Sequence, residues 1–246
     1  MTMMLGKRPP KHDMRIPLLS NYIGQLPPAP LQRDLTGAIL SPLLNDRLSC
    51  CTISTIGHIL RTWSRATGTV ILVSDQDILL AYERACGYNP KDPNTDQGGV
   101  ETDVLTYWLN NTIAGRKLAA FAALQPNSHE DIRDAVWLFG GCYTGFDLPI
   151  SCQSQDVWSV PPGGPAGDAA RGSWGGHAVP IVAYNPRGVT VITWGTYKQV
   201  TWEFVDAYMD EAYALLSHDW IKPETGISQS GFHFESLQRD IGVLRK

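Results

Sequence analysis

The chain has 246 residues, of which 43% are hydrophobic and 18% are charged, and its formal net charge is -4. This length and composition fit one large globular domain or two small lobes with a hydrophobic core, and they exclude a disordered chain. The chain lacks the basic excess of a nucleic-acid-binding surface, so no nucleic-acid partner is predicted.

The N-terminus has charges and prolines (Lys7-Arg8-Pro9-Pro10) where a secretory signal needs an apolar run, so no signal peptide is predicted. No apolar stretch approaches the ~20 residues of a membrane helix, and no membrane partner is expected. We expect a soluble protein that is cytoplasmic or virion-associated. The five cysteines are an odd number without regular spacing and are expected to be reduced thiols. Because the chain contains no C-x-x-C spacing, we predict no metal site, and no organic cofactor is expected.

In chain order, residues 1–42 form an extended, proline-rich leader that is expected to wrap a surface. Apolar residues at helical spacing predict a helix from Cys51 to about Arg65, which ends at Gly68. A short buried strand is predicted at residues 70–73. A second helix begins after the capping residue Ser74 and runs to Cys86, and a third spans residues 100–112.

The second half alternates strands and helices. A strand is predicted at residues 117–124, a helix from Ser128 to Phe139, and a strand from there to Leu148. Residues 178–184 and 189–194 predict a β-hairpin with a four-residue connection, and residues 202–213 predict a helix. The sequence therefore predicts a helical lobe at about residues 43–115 and a β-rich lobe at about residues 116–222. A tail follows at residues 223–246, with a short helix at residues 234–244.

Two distant segments carry groups that can act together in catalysis. Cys51 lies at the predicted first turn of a helix, where unpaired backbone N–H groups and the helix dipole stabilise a thiolate. His177 begins a predicted strand in Gly176-His177-Ala178-Val179 and can take or return a proton. Together they predict a thiol nucleophile and its base.

These segments resemble the papain-like cysteine peptidase superfamily. In that family a Gln six positions before the nucleophile donates to the oxyanion, and Asn45 has the corresponding position here. The strand start around His177 also matches the family pattern, and Gly98 with Gly99 resembles the Gly-Gly stretch on which substrate backbone lies. A looser similarity links the chain to proteins of bacteria and their phages.

One family residue is missing. The family has Asn-Ser-Trp-Gly after the histidine, and this chain has Ile192-Thr193-Trp194-Gly195, so the Asn that orients the imidazole is replaced. Thr193, a backbone carbonyl or an Asp has to replace it, or the site is a weakened dyad. Trp194 is expected to shield the site.

The resemblance implies an α+β fold with a helical lobe, then an antiparallel β-rich lobe, and a site in the cleft between them. It implies cleavage of a peptide or other amide bond of a peptide or protein substrate through an acyl-enzyme. Cys51 is then the nucleophile, His177 the acid and base, and Asn45 a donor to the oxyanion. Gly98, Gly99 and Trp194 are expected to contact substrate.

Each residue also has a simpler interpretation. Cys51 can be a small buried hydrophobic residue, and Cys50 competes as the nucleophile. His58 is too far along the helix to reach Cys51, because seven residues rise ~10.5 Å. Asn45 and the two glycines can be ordinary turn residues. Asp92-x-Asn94-x-Asp96 is similar to a calcium loop, but Gln97 replaces the required glycine, so turns and a helix start explain it better.

Two alternatives to a peptidase remain open. The first is a catalytically silent papain-like scaffold that acts as an interaction or virion-associated protein, with an assembly partner bound through the leader. The missing Asn at position 192 and the proline-rich leader support it. The second is a CHAP-like peptidoglycan amidase or endopeptidase, which keeps the cysteine–histidine chemistry on a different substrate.

Overall fold

The computed structural model describes residues 3–23, 28–125, 127–222, 227–228 and 242. The described part is a mixed α+β structure. Its α-helices are α1 (Ser20–Ile23), α2 (Cys51–Thr67), α3 (Asp75–Cys86), α4 (Glu101–Asn110), α5 (His129–Phe139) and α6 (Trp202–Tyr208). Its β-strands are β1 (Arg33–Asp34), β2 (Ala120–Ala123), β3 (Cys142–Leu148), β4 (Val157–Trp158), β5 (Gly175–Asn185), β6 (Gly188–Thr193), β7 (Thr196–Thr201), β8 (Met209–Leu216), β9 (Ile221–Lys222) and β10 (Ile227–Ser228).

An eight-stranded sheet organises the second half of the chain. Its strand order is β2-β8-β3-β5-β6-β7-β4, and β1 pairs with β5 beside this path. The pairs are antiparallel except for β4 with β7. The predicted order of a helical part followed by an antiparallel β-rich part is confirmed.

Helix α2 packs against β5 and joins the two parts. Its residues from Cys51 to Leu60 are all buried, so this helix has no solvent-facing side over that stretch. Gly57 allows close packing, because a Cβ there would lie 2.6 Å from a Leu43 methyl carbon. Gly68 ends the helix in the left-handed conformation, where a residue without Cβ is favoured. The helix position predicted from the apolar spacing is confirmed.

Capping residues fix the starts of two further helices. Ser74 accepts a hydrogen bond from the Asp77 N–H, and the Asp77 side chain accepts one from the Ser74 N–H, which is a complete capping box. Ser128 caps α5 through the N–H of Asp131. Both predicted helix starts are confirmed.

Three predictions of local structure are wrong. Residues 70–73 form no strand: Ile71 and Val73 are buried while Val70 and Leu72 are exposed, so the alternation lines an irregular segment. The helix predicted at 202–213 ends at Tyr208, and Met209 begins β8. The first hairpin strand is longer than predicted, the second begins and ends one residue earlier, and a two-residue turn at 186–187 replaces the four-residue connection.

Two further features concern the C-terminal tail and the possibility of a membrane-spanning helix. The helix predicted at 234–244 lies outside the described residues, apart from position 242. None of the described helices has the length and apolarity needed to cross a bilayer.

Candidate active site

Cys51 is the first residue of α2. Its Sγ accepts a hydrogen bond from the backbone N–H of Ala178, at 3.4 Å, and this bond connects the start of α2 to β5. Cys51 is buried but does not belong to the hydrophobic core cluster. Cys50 does belong to it, and its Sγ lies 3.3 Å from Ser54 Oγ. The two adjacent thiols therefore face different surroundings.

His177 lies on β5, one residue before the N–H group that contacts Cys51. Its Nε2 lies 2.8 Å from Thr193 Oγ1, and its Nδ1 has no hydrogen-bond partner although it is buried. The Trp194 ring stacks on the imidazole, with centroids 4.5 Å apart and an interplanar angle of 13°. The ring is therefore held from one nitrogen and one face, while the other nitrogen is available for a proton.

The sequence alone left open which group orients the imidazole of His177. In the structure, Thr193 makes this contact. The sequence comparison placed the missing Asn at Ile192, but successive residues of a strand point to opposite faces. The neighbouring hydroxyl at position 193 reaches the ring. The nitrogen that it contacts is Nε2, which leaves Nδ1 without a partner.

Asn45 and Trp194 both bind the chain's own N-terminus. Asn45 Nδ2 donates to the carbonyl oxygens of Met4 and Leu48, each at 3.2 Å, and Trp194 Nε1 donates to the same Met4 oxygen at 2.9 Å. The Met4 N–H in turn donates to Asn45 O at 3.3 Å. The amide expected to bind an oxyanion is thus bonded to a main-chain carbonyl.

Residues 4–8, which we call the N-terminal segment, continue through the cleft in an extended conformation. Gly99 N donates to Gly6 O and Arg8 N donates to Gly99 O, both at 2.9 Å, so this segment pairs with Gly99 like a short parallel strand. On the other side, the N–H groups of Gly6 and Lys7 donate to Gly176 O at 3.2 and 3.0 Å. The segment therefore bridges the two sides of the cleft beside Cys51 and His177.

Gly98 also contributes to this close approach. It has φ +71° and a Cβ there would overlap the Gly6 backbone. The Tyr82 hydroxyl accepts its N–H at 2.9 Å and donates to Asp96 Oδ1 at 2.7 Å. Asp96 also accepts the Ser49 N–H at 3.0 Å, so the calcium-like acidic stretch supports the loop before α2. Within the described ranges, no group of three or more metal-ligating side chains is arranged to hold an ion.

Cys51 and His177 are both neutral at pH 7 while the N-terminal segment covers them. Burial raises the pKa of the Cys51 thiol to about 12, although the Ala178 N–H stabilises the thiolate. Burial lowers the pKa of the His177 imidazole to about 3. In this covered state the start of the helix does not favour the expected thiolate, because the loss of solvation outweighs the stabilising backbone N–H groups of Ala178 and Thr52.

Sequence reasoning missed the N-terminal segment as a part of the site. It treated residues 1–42 as one leader that wraps a surface. A signal was present in Gly6, because a glycine between larger residues allows two backbones to approach closely. The remaining candidate, His58, is buried in α2, and burial lowers its pKa to about 3.

No family model and no curated protein matches this sequence, whereas solved structures match its fold. Xylellain, a cysteine protease from Xylella fastidiosa, has a TM-score of 0.63 and 14% identity, covering 88% of this chain and 97% of that chain. ProCathepsin B S9 from Trypanosoma congolense has a TM-score of 0.58 and 12% identity, covering 88% and 87%. The cysteine protease and lectin-like domains of Cwp84, a surface layer associated protein of Clostridium difficile, have a TM-score of 0.60 and 11% identity, covering 87% and 55%. The protein has the papain-like fold.

Proposed function

We propose that this protein is a cysteine-dependent hydrolase that cleaves a peptide or other amide bond through an acyl-enzyme. The observation that carries the proposal is the state of the His177 ring. Its Nε2 is held by Thr193 while its buried Nδ1 has no partner, and the next N–H along the strand is bonded to Cys51 Sγ. Nucleophilic catalysis needs a base with one nitrogen anchored and the other free, and here that base directly precedes the residue whose N–H contacts the thiol.

The reaction begins when the Cys51 proton passes to His177 Nδ1. The thiolate attacks the substrate carbonyl carbon, and the carbonyl oxygen gains the negative charge. Asn45 Nδ2 and the Cys51 N–H are the donors for that oxygen, an interaction worth roughly 3 to 4 kcal/mol per donor. His177 then gives its proton to the leaving amine, and the carbon–nitrogen bond breaks. Water that is deprotonated by His177 then attacks the thioester carbon, the carbon–sulfur bond breaks to release the acid, and the proton on His177 returns to the Cys51 sulfur.

This chemistry requires the N-terminal segment to leave the cleft. In the covered state the pKa values of Cys51 and His177, about 12 and about 3, keep both groups neutral. Solvent that enters after the segment leaves lowers the cost of the thiolate and the imidazolium together. The protein as described is therefore a closed form of the hydrolase.

The test uses two readouts on the full-length chain: labelling by an electrophilic peptidyl epoxide and cleavage of fluorescently labelled casein. We expect Cys51→Ala to abolish both and Cys50→Ala, the matched control, to keep both, because the Cys51 sulfur accepts a hydrogen bond from β5, whereas the Cys50 sulfur contacts Ser54. His177→Ala should slow labelling by at least about 100-fold, the lower range of general-base catalysis. Labelling and cleavage that survive Cys51→Ala would refute the proposal.

One observation favours a second candidate, a catalytically silent scaffold. The cleft is filled by backbone hydrogen bonds from the chain itself, and the thiol is protonated there. In this candidate the rest of the leader binds an assembly partner, such as the particle of a virus. A variant with a loosened N-terminal segment distinguishes the two candidates: labelling of Cys51 without cleavage of casein supports the scaffold.

A further inference from the structure

The side chain of Lys7 enters a pocket built from carboxylates. Lys7 Nζ donates to Asp210 Oδ2 at 2.5 Å and lies 3.6 Å from Glu211 Oε1, both on β8. It lies 3.9 Å from Asp147 Oδ1 on β3, and Glu101 at the start of α4 adds another carboxyl group. Lys7 and Glu101 are buried, with 6% and 0% exposure. We call this arrangement the acidic pocket.

The acidic pocket has more carboxyl oxygens than Lys7 satisfies. Both oxygens of Glu101, Oδ1 of Asp210 and Oε1 of Glu211 are buried without a hydrogen-bond partner. Asp147 is additionally paired with Arg171 at 3.1 Å, and Glu211 Oε2 accepts a hydrogen bond from the Tyr213 hydroxyl at 2.8 Å, whereas Asp210 and Glu101 face Lys7. Burial raises the pKa of Glu101 well above its usual value and that of Glu211 to about 7, so these groups bind protons unless a cation stabilises their charge. Burial alone lowers the pKa of Lys7, but the surrounding carboxylates raise it, and the side chain stays charged.

Gly145 gives the acidic pocket its depth. A Cβ at this position of β3 would lie 2.5 Å from Lys7 Cε and 2.8 Å from Glu101 Oε1. Any side chain here would therefore occupy the path of the lysine stem. The β3–β8 register also shifts between Gly145 and Phe146. The absence of a side chain at residue 145 thus leaves room for the unbranched stem of a lysine.

The acidic pocket is continuous with the candidate active site. The side chain of Lys7 fills the pocket, while its main chain pairs with Gly99 and donates to Gly176 O. Gly176 directly precedes His177. The backbone groups of Gly99 and Gly176 are unspecific donors and acceptors that any extended peptide can use. In contrast, the acidic pocket distinguishes side chains by charge. A peptide that replaces the N-terminal segment would therefore be selected by the charge of its side chain close to the nucleophile.

We propose that the acidic pocket is the specificity site of the enzyme and binds a basic side chain of the peptide substrate, with Lys7 as its internal occupant. This proposal rests on the proposed function, and it names the substrate class: peptides with a lysine-type side chain beside the scissile bond. The carboxyl groups bind the ammonium group, and Gly145 leaves space for the unbranched stem.

Binding to a protein without its nucleophile tests the proposal. The protein is the full chain with Gly6→Ala and Lys7→Ala, which loosen the segment and empty the pocket, and Cys51→Ala. The probes are the blocked hexapeptide Met-Leu-Gly-Lys-Arg-Pro, which matches residues 4–9, and the same peptide with norleucine instead of lysine. Norleucine keeps the stem and lacks the ammonium group. We expect the lysine peptide to bind at least about 10-fold more tightly in fluorescence anisotropy, as for other buried charge pairs.

Carboxamide variants locate the effect. Asp210→Asn and, independently, Glu211→Gln should reduce the preference for lysine to less than about 3-fold, whereas Asp103→Asn should leave it unchanged. Asp103 is the matched control because it lies on α4 two residues after Glu101 but is exposed and pairs with Lys11 at 3.0 Å. Thermal unfolding verifies that each variant is folded.

Equal affinity for the two peptides, no binding of either at millimolar concentration, or the same loss in Asp103→Asn overturns the proposal. Because Cys51 is absent from the tested protein, these results do not depend on turnover. Failure of the hydrolase proposal is seen separately, in the labelling and cleavage of the protein that retains Cys51.

Discussion

Gly6→Ala tests whether the N-terminal segment closes the site. A Cβ on residue 6 would overlap the backbone of Ser49, the residue two positions before the nucleophile. Gly6 has no positive φ in this structure, so alanine adds the collision without backbone strain. Backbone cannot move aside as the end of a flexible side chain does. The substitution should therefore destabilise the docked segment and leave the core unchanged.

The expected magnitude follows from the overlap and from the pKa of the thiol. Overpacking of this kind costs about 1 to 3 kcal/mol, which increases the population of the open form by about 5- to 150-fold. The largest possible increase in the reaction rate is set by the ionisation of the Cys51 thiol. At pH 7.5 a thiol with a pKa of about 12 is ionised about 3000-fold less than a free thiol with a pKa near 8.5.

The assay is the rate of alkylation by iodoacetamide at pH 7.5, resolved to Cys51 by tandem mass spectrometry. Gly163→Ala is the matched control, because a Cβ at Gly163 has open space around it and the residue lacks a positive φ. We expect a 5- to 150-fold faster reaction in Gly6→Ala and no change in Gly163→Ala. A rate within twofold of the unsubstituted protein in Gly6→Ala would show that the segment does not control access to the thiol.

Three further predictions concern the base, the pH dependence and the core. Thr193→Val should lower kcat on casein by about 10- to 100-fold, because a hydrogen bond to a charged group is worth about 1.5 to 3 kcal/mol, while Thr190→Val on the same strand should not; equal losses would contradict an orienting role. The pKa of His58 is lowered to about 3 from 6.5 by burial, so its contribution to stability is complete above pH 6.5 and is lost as the pH falls towards 3. Urea titrations of His58→Gln should show a pH slope of the unfolding free energy that is shallower by up to ~1.4 kcal/mol per pH unit in that window, and identical slopes would contradict this. Gly57→Ala should destabilise the protein by about 1 to 3 kcal/mol in urea, because its Cβ would lie 2.6 and 2.9 Å from two methyl carbons; a gain in stability would show that the helix relaxes at no cost.

Local signals in the sequence identified the elements that carry the site. The apolar spacing after Cys51, the Ser74 cap and the Ser128 cap each act within one or two helical turns, and the structure contains these helices. The pattern around His177 likewise predicted a strand start. Such short-range rules are readable because neighbouring residues decide them.

Tertiary contacts decided the remaining features. Residues 202–213 have helical spacing, yet the chain turns into β8 at Met209 because strands β2 and β3 offer it main-chain partners. The contact of Thr193 with His177 depends on the register of strands β5 and β6. The match of Trp194-Gly195 to the family motif does not reveal that register. The location of Lys7 among distant carboxylates depends on the path of the whole leader. No periodicity in the sequence encodes these pairings.

Because the N-terminal segment is covalently part of the chain, its blocking strength is independent of protein concentration. A tethered ligand competes at an effective concentration on the order of millimolar, set by the length of the chain that connects it to the site. A free peptide with the same contacts has to exceed that concentration before it displaces half of the segment. Dilution of the sample, which relieves inhibition by a separate protein, leaves this closed form intact.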